Sequence, residues 1–252
     1  MNKPSRIWIM TIFPEYFAPL IQHGVAASAL RGERGSQYEV HLINLKDYSF
    51  HKYRNVDDGS FGGGPGMVMR ADILKNALDN AVVKPGGYTD IKNELHIVYT
   101  SPRGKRWTNV LAREYAQNFF IDKKKDLLFI CGRYEGIDER FAELYVDEEL
   151  CIGDFVLTGG ELAVMMMIDS ALRFVPGTLG NSDSADRESF EDCLLDHPHY
   201  TKPQDFEGKA VPEVLMSGHH ANIEKYRLSE RIRMTKLHRP DLYEVYEKRK
   251  KK

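Results

Sequence analysis

The chain has 252 residues, with 35 Lys and Arg against 37 Asp and Glu, a formal net charge of −2 and an ordinary apolar fraction. That length suits one large domain or two small ones, and a near-neutral balance does not advertise a nucleic-acid binder. No apolar run approaches the roughly 18 residues expected of a membrane span, and MNKPSRIWIM lacks the apolar core and cleavage site of a signal peptide. The three cysteines, Cys131, Cys151 and Cys193, are odd in number and lack CxxC spacing, which argues against a disulfide framework or a zinc site and for a cytoplasmic protein.

In chain order, Arg6–Phe13 is an apolar run stopped by Pro14, a buried strand. Phe17–Leu30 carries apolar residues at helical spacing, and Tyr38–Leu45 alternates as a second strand. Lys46–Gly66 is a polar loop containing NVDDGSFGGGPGM, with paired acids at Asp57 and Asp58. It lacks the Lys-Ser/Thr of a phosphate-binding P-loop, so on spacing alone it is a flexible surface loop. Ala71–Val83 predicts a helix, closed by Lys84–Gly87. Leu95–Thr100 is a buried strand stopped by Ser101 and Pro102. Arg103, Lys105 and Arg106 then sit beside Trp107, a basic and aromatic cluster that can serve RNA but, alone, is more often just a loop. Thr108 is an N-cap for a helix over Asn109–Phe119.

Two further apolar runs each end in glycine: Leu127–Cys131 at Gly132, and Glu148–Ile152 at Gly153. Glycine at a strand's carboxyl end leaves the backbone open to a ligand, and α/β proteins bind ligands there. Side by side, the two runs would wall a small-molecule site. Ile137–Tyr145 between them predicts an acidic helix, and Gly159–Gly160 precedes an apolar helix over Leu162–Val175. In that helix Asp169 and Arg173 have ion-pair spacing. Alternating strands and helices over the first 175 residues predict an α/β fold: a mostly parallel sheet with helices on both faces.

The remainder divides at composition changes. Residues 176–207 open with a Gly-, Ser- and Asp-rich run and form a flexible linker. Gly208–Lys252 holds 12 Lys and Arg against 6 Asp and Glu, so a basic unit of net +6 sits on a body of net −8. Helices are predicted over Asn222–Leu237 and from Pro240, with Arg227, Arg231 and Arg233 near one side. His197, His199, His219 and His220 raise the question of a metal, but no carboxylate or cysteine completes a recognisable ligand spacing, and none is expected.

CGRYEGIDER and IGDFVLTGGEL resemble the cofactor-binding segments of the bacterial tRNA (guanine-N1)-methyltransferases of the TrmD type, which are knotted S-adenosylmethionine-dependent enzymes. The resemblance spans nearly the whole chain, from IMTIFPEYF to VPEVLMSGHHANI. It implies a deep trefoil knot in the 1–175 domain and a methyl-donor site lined by Tyr99, Thr100, Ser101, Pro102, Gly132, Tyr134, Glu135, Gly136, the Ile152, Gly153, Asp154, Phe155, Val156, Leu157 run, Gly159 and Gly160. It implies that DDxxxGGGPGM lies beside the cofactor and the RNA. It further implies a homodimer, a 176–207 lid carrying the general base, and a small helical domain over 208–252 that grips tRNA.

The implied reaction methylates N1 of the guanosine immediately 3′ of the anticodon, position 37. N1 holds a proton at neutral pH, so a base must remove it and a cation must stabilise charge developing on O6. The resemblance assigns the cation to Arg173 and the base to an aspartate before a Ser-Phe pair. Here Glu188 precedes Ser189–Phe190, with Asp186 two residues earlier as the alternative. The family also implies a magnesium dependence, for which the sequence holds no ligand signature. Two rival readings stand beside this one. A tRNA-binding protein that has lost turnover would fit the Asp-to-Glu change, and a nucleotide-binding enzyme would use GGGPG.

Overall fold

A computed structural model describes residues 4–35, 38–180 and 188–250. Asp186 lies outside the described residues. The chain forms two compact units, Met1–Gly180 and Asn181–Lys252.

The first unit opens with strand β1 (Ser5–Thr11) and a 3-10 turn at Pro14–Phe17. Two short helices follow, α1 (Ala18–Gln22) and α2 (Gly24–Leu30), rather than one. His23 is extended and Gly24 has φ +82°, so the helical hydrogen-bond ladder breaks there. Next come β2 (Tyr38–Asn44), β3 (Asp57–Gly59) and β4 (Met67–Met69). The predicted 46–66 loop is thus partly ordered: β3 and β4 form an antiparallel hairpin with the glycines at its tip. Four-way positive φ at Gly62, Gly63, Gly64 and Gly66 suits the turn.

Helix α3 (Ala71–Ala77) widens into a π turn over Leu78–Val83 and closes as α4 (Lys84–Gly86), with Gly87 left-handed at φ +69°. The short α5 (Ile91–Glu94) leads into β5, which runs over Leu95–Arg106 and is not stopped at Ser101. Thr100 and Lys105 both face Leu150 of a neighbouring strand, so residues 101–104 bulge out and the strand resumes. Proline is tolerated because it lies within the bulge. Helix α6 (Asn109–Tyr115) is capped by the Thr108 side chain and extends into a π turn over Ala116–Ile121. Then follow β6 (Asp126–Cys131), α7 (Glu139–Tyr145), β7 (Glu148–Cys151) and α8 (Glu161–Leu172). Helix α7 starts two residues later than expected, because Ile137 pairs with Met69 and Asp138 provides the N-cap.

The five main strands are all parallel, in the order β2-β1-β6-β5-β7. The two glycine-ended strands are therefore not neighbours, as the sequence suggested; β5 lies between them. The crossover through α7 carries the chain past β5. Both sheet faces are covered. Ile7 and Ile9 of β1 join one core with Leu111, Val164 and Ile168, while Trp8 and Met10 join the other with Leu74, Leu78 and Phe141. Double-sided burial explains why these strands read as unbroken apolar runs. Trp107 belongs to this packing: its Nε1–H donates to Ser170 Oγ at 2.9 Å and its ring meets Tyr115 edge-on. It is thus a packed residue, not a free platform for a base.

In the second unit, β8 (Asp205–Phe206) and β9 (Lys209–Ala210) form a small hairpin before α9 (Glu213–Met216), α10 (His220–His238) and α11 (Pro240–Lys250). The three arginines noted on α10 are each engaged with acids: Arg227 with Glu224, Arg231 with Asp192 and Arg233 with Glu230.

A buried polar chain ties the sheet's amino ends to the loop after α4. Trp8 Nε1–H donates to Tyr88 Oη at 2.8 Å, and Tyr88 Oη–H donates to Asp126 Oδ2 at 2.6 Å. Burial and the Asp126 carboxylate push the Tyr88 phenol well up. Tyr88→Phe would leave the Trp8 donor and a buried carboxylate oxygen without a partner, so a loss of about 1–3 kcal/mol is expected. Thermal denaturation of the full chain measures it; an unchanged midpoint would show that the phenol contributes nothing.

Candidate active site

The carboxyl ends of β5, β6 and β7 converge on a cavity of about 410 Å³. Strand ends in a parallel sheet present unpaired backbone groups, and this volume is in the range of small-molecule sites. Its walls come from four stretches: Tyr99–Arg103, Gly132–Ile137, Leu150–Gly153 and Phe155–Gly160. Every residue expected at the donor site lies on this lining except Asp154. Arg103, Arg133, Glu139, Thr158 and Ala163 also line it, and the sequence reasoning missed them. Arg103, in the bulge, donates to Glu139 at 2.9 Å and Glu149 at 3.1 Å, so this member of the basic cluster folds back onto the protein.

Close backbone approach shapes the cavity. Gly160 N–H donates to Gly132 O at 2.8 Å, and Gly132 N–H to Thr100 Oγ1 at 3.4 Å. A Cβ on Gly160 would overlap Thr100 Oγ1 and lie 2.9 Å from Gly132 N. A Cβ on Gly132 would lie 2.8 Å from the Tyr99 ring and 2.9 Å from Thr100 O. Glycine is therefore demanded at both positions by space, not by dihedral angle. The hairpin also reaches this wall: Glu135 N–H donates to Met67 O and Met69 N–H to Gly136 O.

Behind the glycines sits a buried ion pair. Glu161, 1% exposed, accepts from Thr11 Oγ1 at 2.7 Å and pairs with Arg133 Nη2 at 2.9 Å. Arg133 also donates to Thr158 O at 3.0 Å, and its guanidinium lies over the Phe13 and Tyr16 rings. The pair locks the loop after β6 to the start of α8. Burial pushes the Cys131 thiol well above its ordinary range, consistent with a packed residue and not a nucleophile. Burial likewise raises the Tyr99 phenol.

Arg173 is half-buried at the C-cap of α8, outside the cavity lining. Since a 12-residue helix is about 18 Å long, it lies at the far end from Gly160. Glu188 belongs to the second unit.

A parallel α/β sheet with a glycine-walled cavity at its strand ends defines a small-molecule-binding α/β protein. Comparison with known proteins narrows that class. Residues 5–245 match the family model described as tRNA (Guanine-1)-methyltransferase TrmD. The chain is 42% identical over 241 residues to a tRNA (guanine-N(1)-)-methyltransferase of Hydrogenovibrio crunogenus, covering 96% of this chain and 95% of that one. It is 43% identical to the protein of that name from Clostridioides difficile, over 94% of this chain and 97% of the other. For the Magnetococcus marinus protein the figures are 45%, 94% and 88%. The chain belongs to the TrmD family of tRNA (guanine-1)-methyltransferases, which implies S-adenosylmethionine as methyl donor.

Two outcomes are expected at this cavity. Gly160→Ala forces Thr100 or the Gly132 backbone to move, and should weaken S-adenosylmethionine binding at least about tenfold by calorimetry, the effect of losing one good contact of about 1.4 kcal/mol. Glu161→Ala leaves the Arg133 charge buried without its carboxylate and should cost about 3–5 kcal/mol. Urea unfolding at neutral pH measures the second; a loss under about 1 kcal/mol would reduce the pair to a surface interaction.

Proposed function

We infer that this chain transfers a methyl group from S-adenosylmethionine to N1 of the guanosine immediately 3′ of the anticodon, position 37 of tRNA. By family membership the chain is a tRNA (guanine-N1)-methyltransferase. The target position, site residues, knot and dimer are our reading. The observation that carries it is the cavity at the ends of β5, β6 and β7, whose walls are the motifs that resemble the family's cofactor segments.

The residues suit the donor. Gly132 and Gly160 leave main chain bare where a Cβ would intrude. Leu150, Leu157 and Ala163 offer apolar surface for a purine, and the Glu135 and Glu139 carboxylates suit its positive charges. When bound, the donor supplies an electrophilic methyl group. The chain's own part is to remove the guanine N1 proton and to hold negative charge on O6. Glu188 is proposed as the base and Arg173 as the O6 partner, since a guanidinium keeps its charge at any physiological pH. Asp186 is the alternative base.

Two features support a site shared between copies of the chain. Arg173 lies at the opposite end of α8 from the cavity, which fits a second copy bringing it to the donor. Leu162 and Met166 on the outward face of α8 are half-exposed, an apolar stripe fit for a homodimer contact. The knot is supported by the bridge between Arg133 and Gly159, which joins the loops after β6 and β7 across the intervening β5. The second unit, rich in Lys and Arg, is proposed to grip tRNA, and the protein to work in the cytoplasm, where its substrate is. Among the described residues no helix is long and apolar enough to cross a membrane. No step is assigned to magnesium. Among the described residues the cluster of potential metal donors is Asp196, His197 and His199, and imidazoles do not suit that ion.

The Glu188 departure favours one second reading, a tRNA-binding protein without turnover. Methyl transfer from labelled S-adenosylmethionine to unmodified tRNA, followed by mass mapping of the product nucleoside, separates the two. We expect 1-methylguanosine at position 37; no transfer would support the binding-only reading. Glu188→Gln is expected to lower turnover about 100-fold or more, in the range of a lost general base, with the donor's affinity kept. Near-normal turnover would move the role to Asp186.

A further inference from the structure

The segment after Glu188 holds a cluster to which the proposed methyl transfer assigns no role. It folds against α10 within the second unit. Leu195 N–H donates to Thr235 Oγ1 at 2.8 Å, Arg231 Nε–H to Leu195 O at 3.3 Å, and Asp196 N–H to Ser189 Oγ at 2.9 Å. These contacts present Asp196, His197 and His199 together. One donor atom from each lies within 4.8 Å of the other two.

The hydrogen bonds fix how the donors face. His197 Nδ1 lies 3.1 Å from Pro198 O. A carbonyl can only accept, so Nδ1 carries the hydrogen and, in the neutral ring, the lone pair is on Nε2. That nitrogen lies 3.8 Å from Asp196 Oδ1. His199 Nε2–H donates to Asp196 Oδ2 at 3.0 Å, and a metal ion binding there would replace that hydrogen. Asp196 Oδ1 accepts from His197 N–H at 2.7 Å, which orients the carboxylate. Ligands around a tetrahedral zinc ion, each at about 2.0–2.2 Å from it, are about 3.4 Å apart, so the donors, all within 4.8 Å of one another, need to close in only modestly around an ion. The Nδ1–H bond to a backbone carbonyl is the outer-shell contact that metal-bound histidines make.

We propose that Asp196, His197 and His199 form a binding site for a divalent late first-row metal ion of the zinc type. Two imidazoles and one carboxylate select such an ion over magnesium or calcium. His199 is largely solvent-exposed and His197 largely buried; the site therefore opens to water on one side, leaving a position for solvent. Sequence spacing missed it because the carboxylate adjoins His197 directly, a separation no common zinc motif uses. The bound ion would brace the segment that follows Glu188 against itself. This inference does not depend on the proposed roles in methyl transfer.

The test uses the full chain, stripped with a chelator and titrated with zinc chloride by calorimetry and with cobalt chloride by visible absorption. Wild type is expected to take one zinc per chain, to give the intense cobalt bands of a tetrahedral or five-coordinate site, and to unfold at a higher temperature with zinc. Asp196→Asn and His199→Ala should each bind at least about tenfold more weakly and lose the thermal shift. The exposure of His199 makes its alanine variant a substitution the fold tolerates, which circular dichroism verifies. The double variant His219→Ala/His220→Ala, at the other histidine pair, should bind as wild type does. No zinc uptake by wild type, wild-type binding by both triad variants, or loss only in the His219/His220 variant would overturn the proposal.

Discussion

The structure depends on the contact between the turn after β6 and the turn before α8. One backbone bond, Gly160 N–H to Gly132 O, closes it, with Thr100 Oγ1 packed where a Cβ would otherwise stand. That closeness requires glycine on both sides and a side chain no larger than threonine beneath. It also requires something to hold two glycine turns, which have little stiffness of their own. The Arg133–Glu161 pair does so from behind, anchored by Thr11 at the end of β1. Rigid support under bare main chain is how a fold presents backbone groups to a ligand without their collapsing onto one another.

The same contact explains the long, interrupted β5. The strand must bulge at 101–104 to leave room at its carboxyl end, yet it returns to pair with Leu150 and Cys151. Gly104 makes the return possible, because a Cβ there would meet the Leu150 backbone at 2.5 Å. The cavity is thus framed by a bulge on one strand and glycine turns on two others, on a sheet buried on both faces. The groups proposed to act on the acceptor base are placed differently. Arg173 ends a helix and Glu188 stands on the second unit. If those roles hold, the division between the cavity and separately carried acceptor groups is what a reaction on a large RNA would need.

Much of this was legible in the residues. Apolar runs ended by glycine mark β6 and β7 within a residue, and Thr108 and Pro240 mark helix starts. Motif resemblance named the lining of the cavity. What was not legible depended on nonlocal geometry. Nothing in Leu127–Ile152 says that β5 inserts between its two strands. Nothing in SPRGKRW says that the chain resumes its ladder after a proline, since bulges are set by the partner strand. The Arg133–Glu161 pair joins residues 28 apart, and Asp196 enters its cluster through backbone contacts to Ser189 and, by way of Leu195, to Thr235. Pattern reading finds periodicity and punctuation; it does not find pairings made by tertiary folding.

Hydrogen–deuterium exchange of the full chain with and without S-adenosylmethionine addresses the donor cavity most directly, since it reports on the backbone amides said to face the ligand. Slowed exchange is expected in 99–104, 132–137 and 150–160, with little change at the edge strand β2 or in α11. Protection confined to the glycine tip at 60–66, or found only in the second unit, would contradict the assignment of the donor to the ends of β5, β6 and β7.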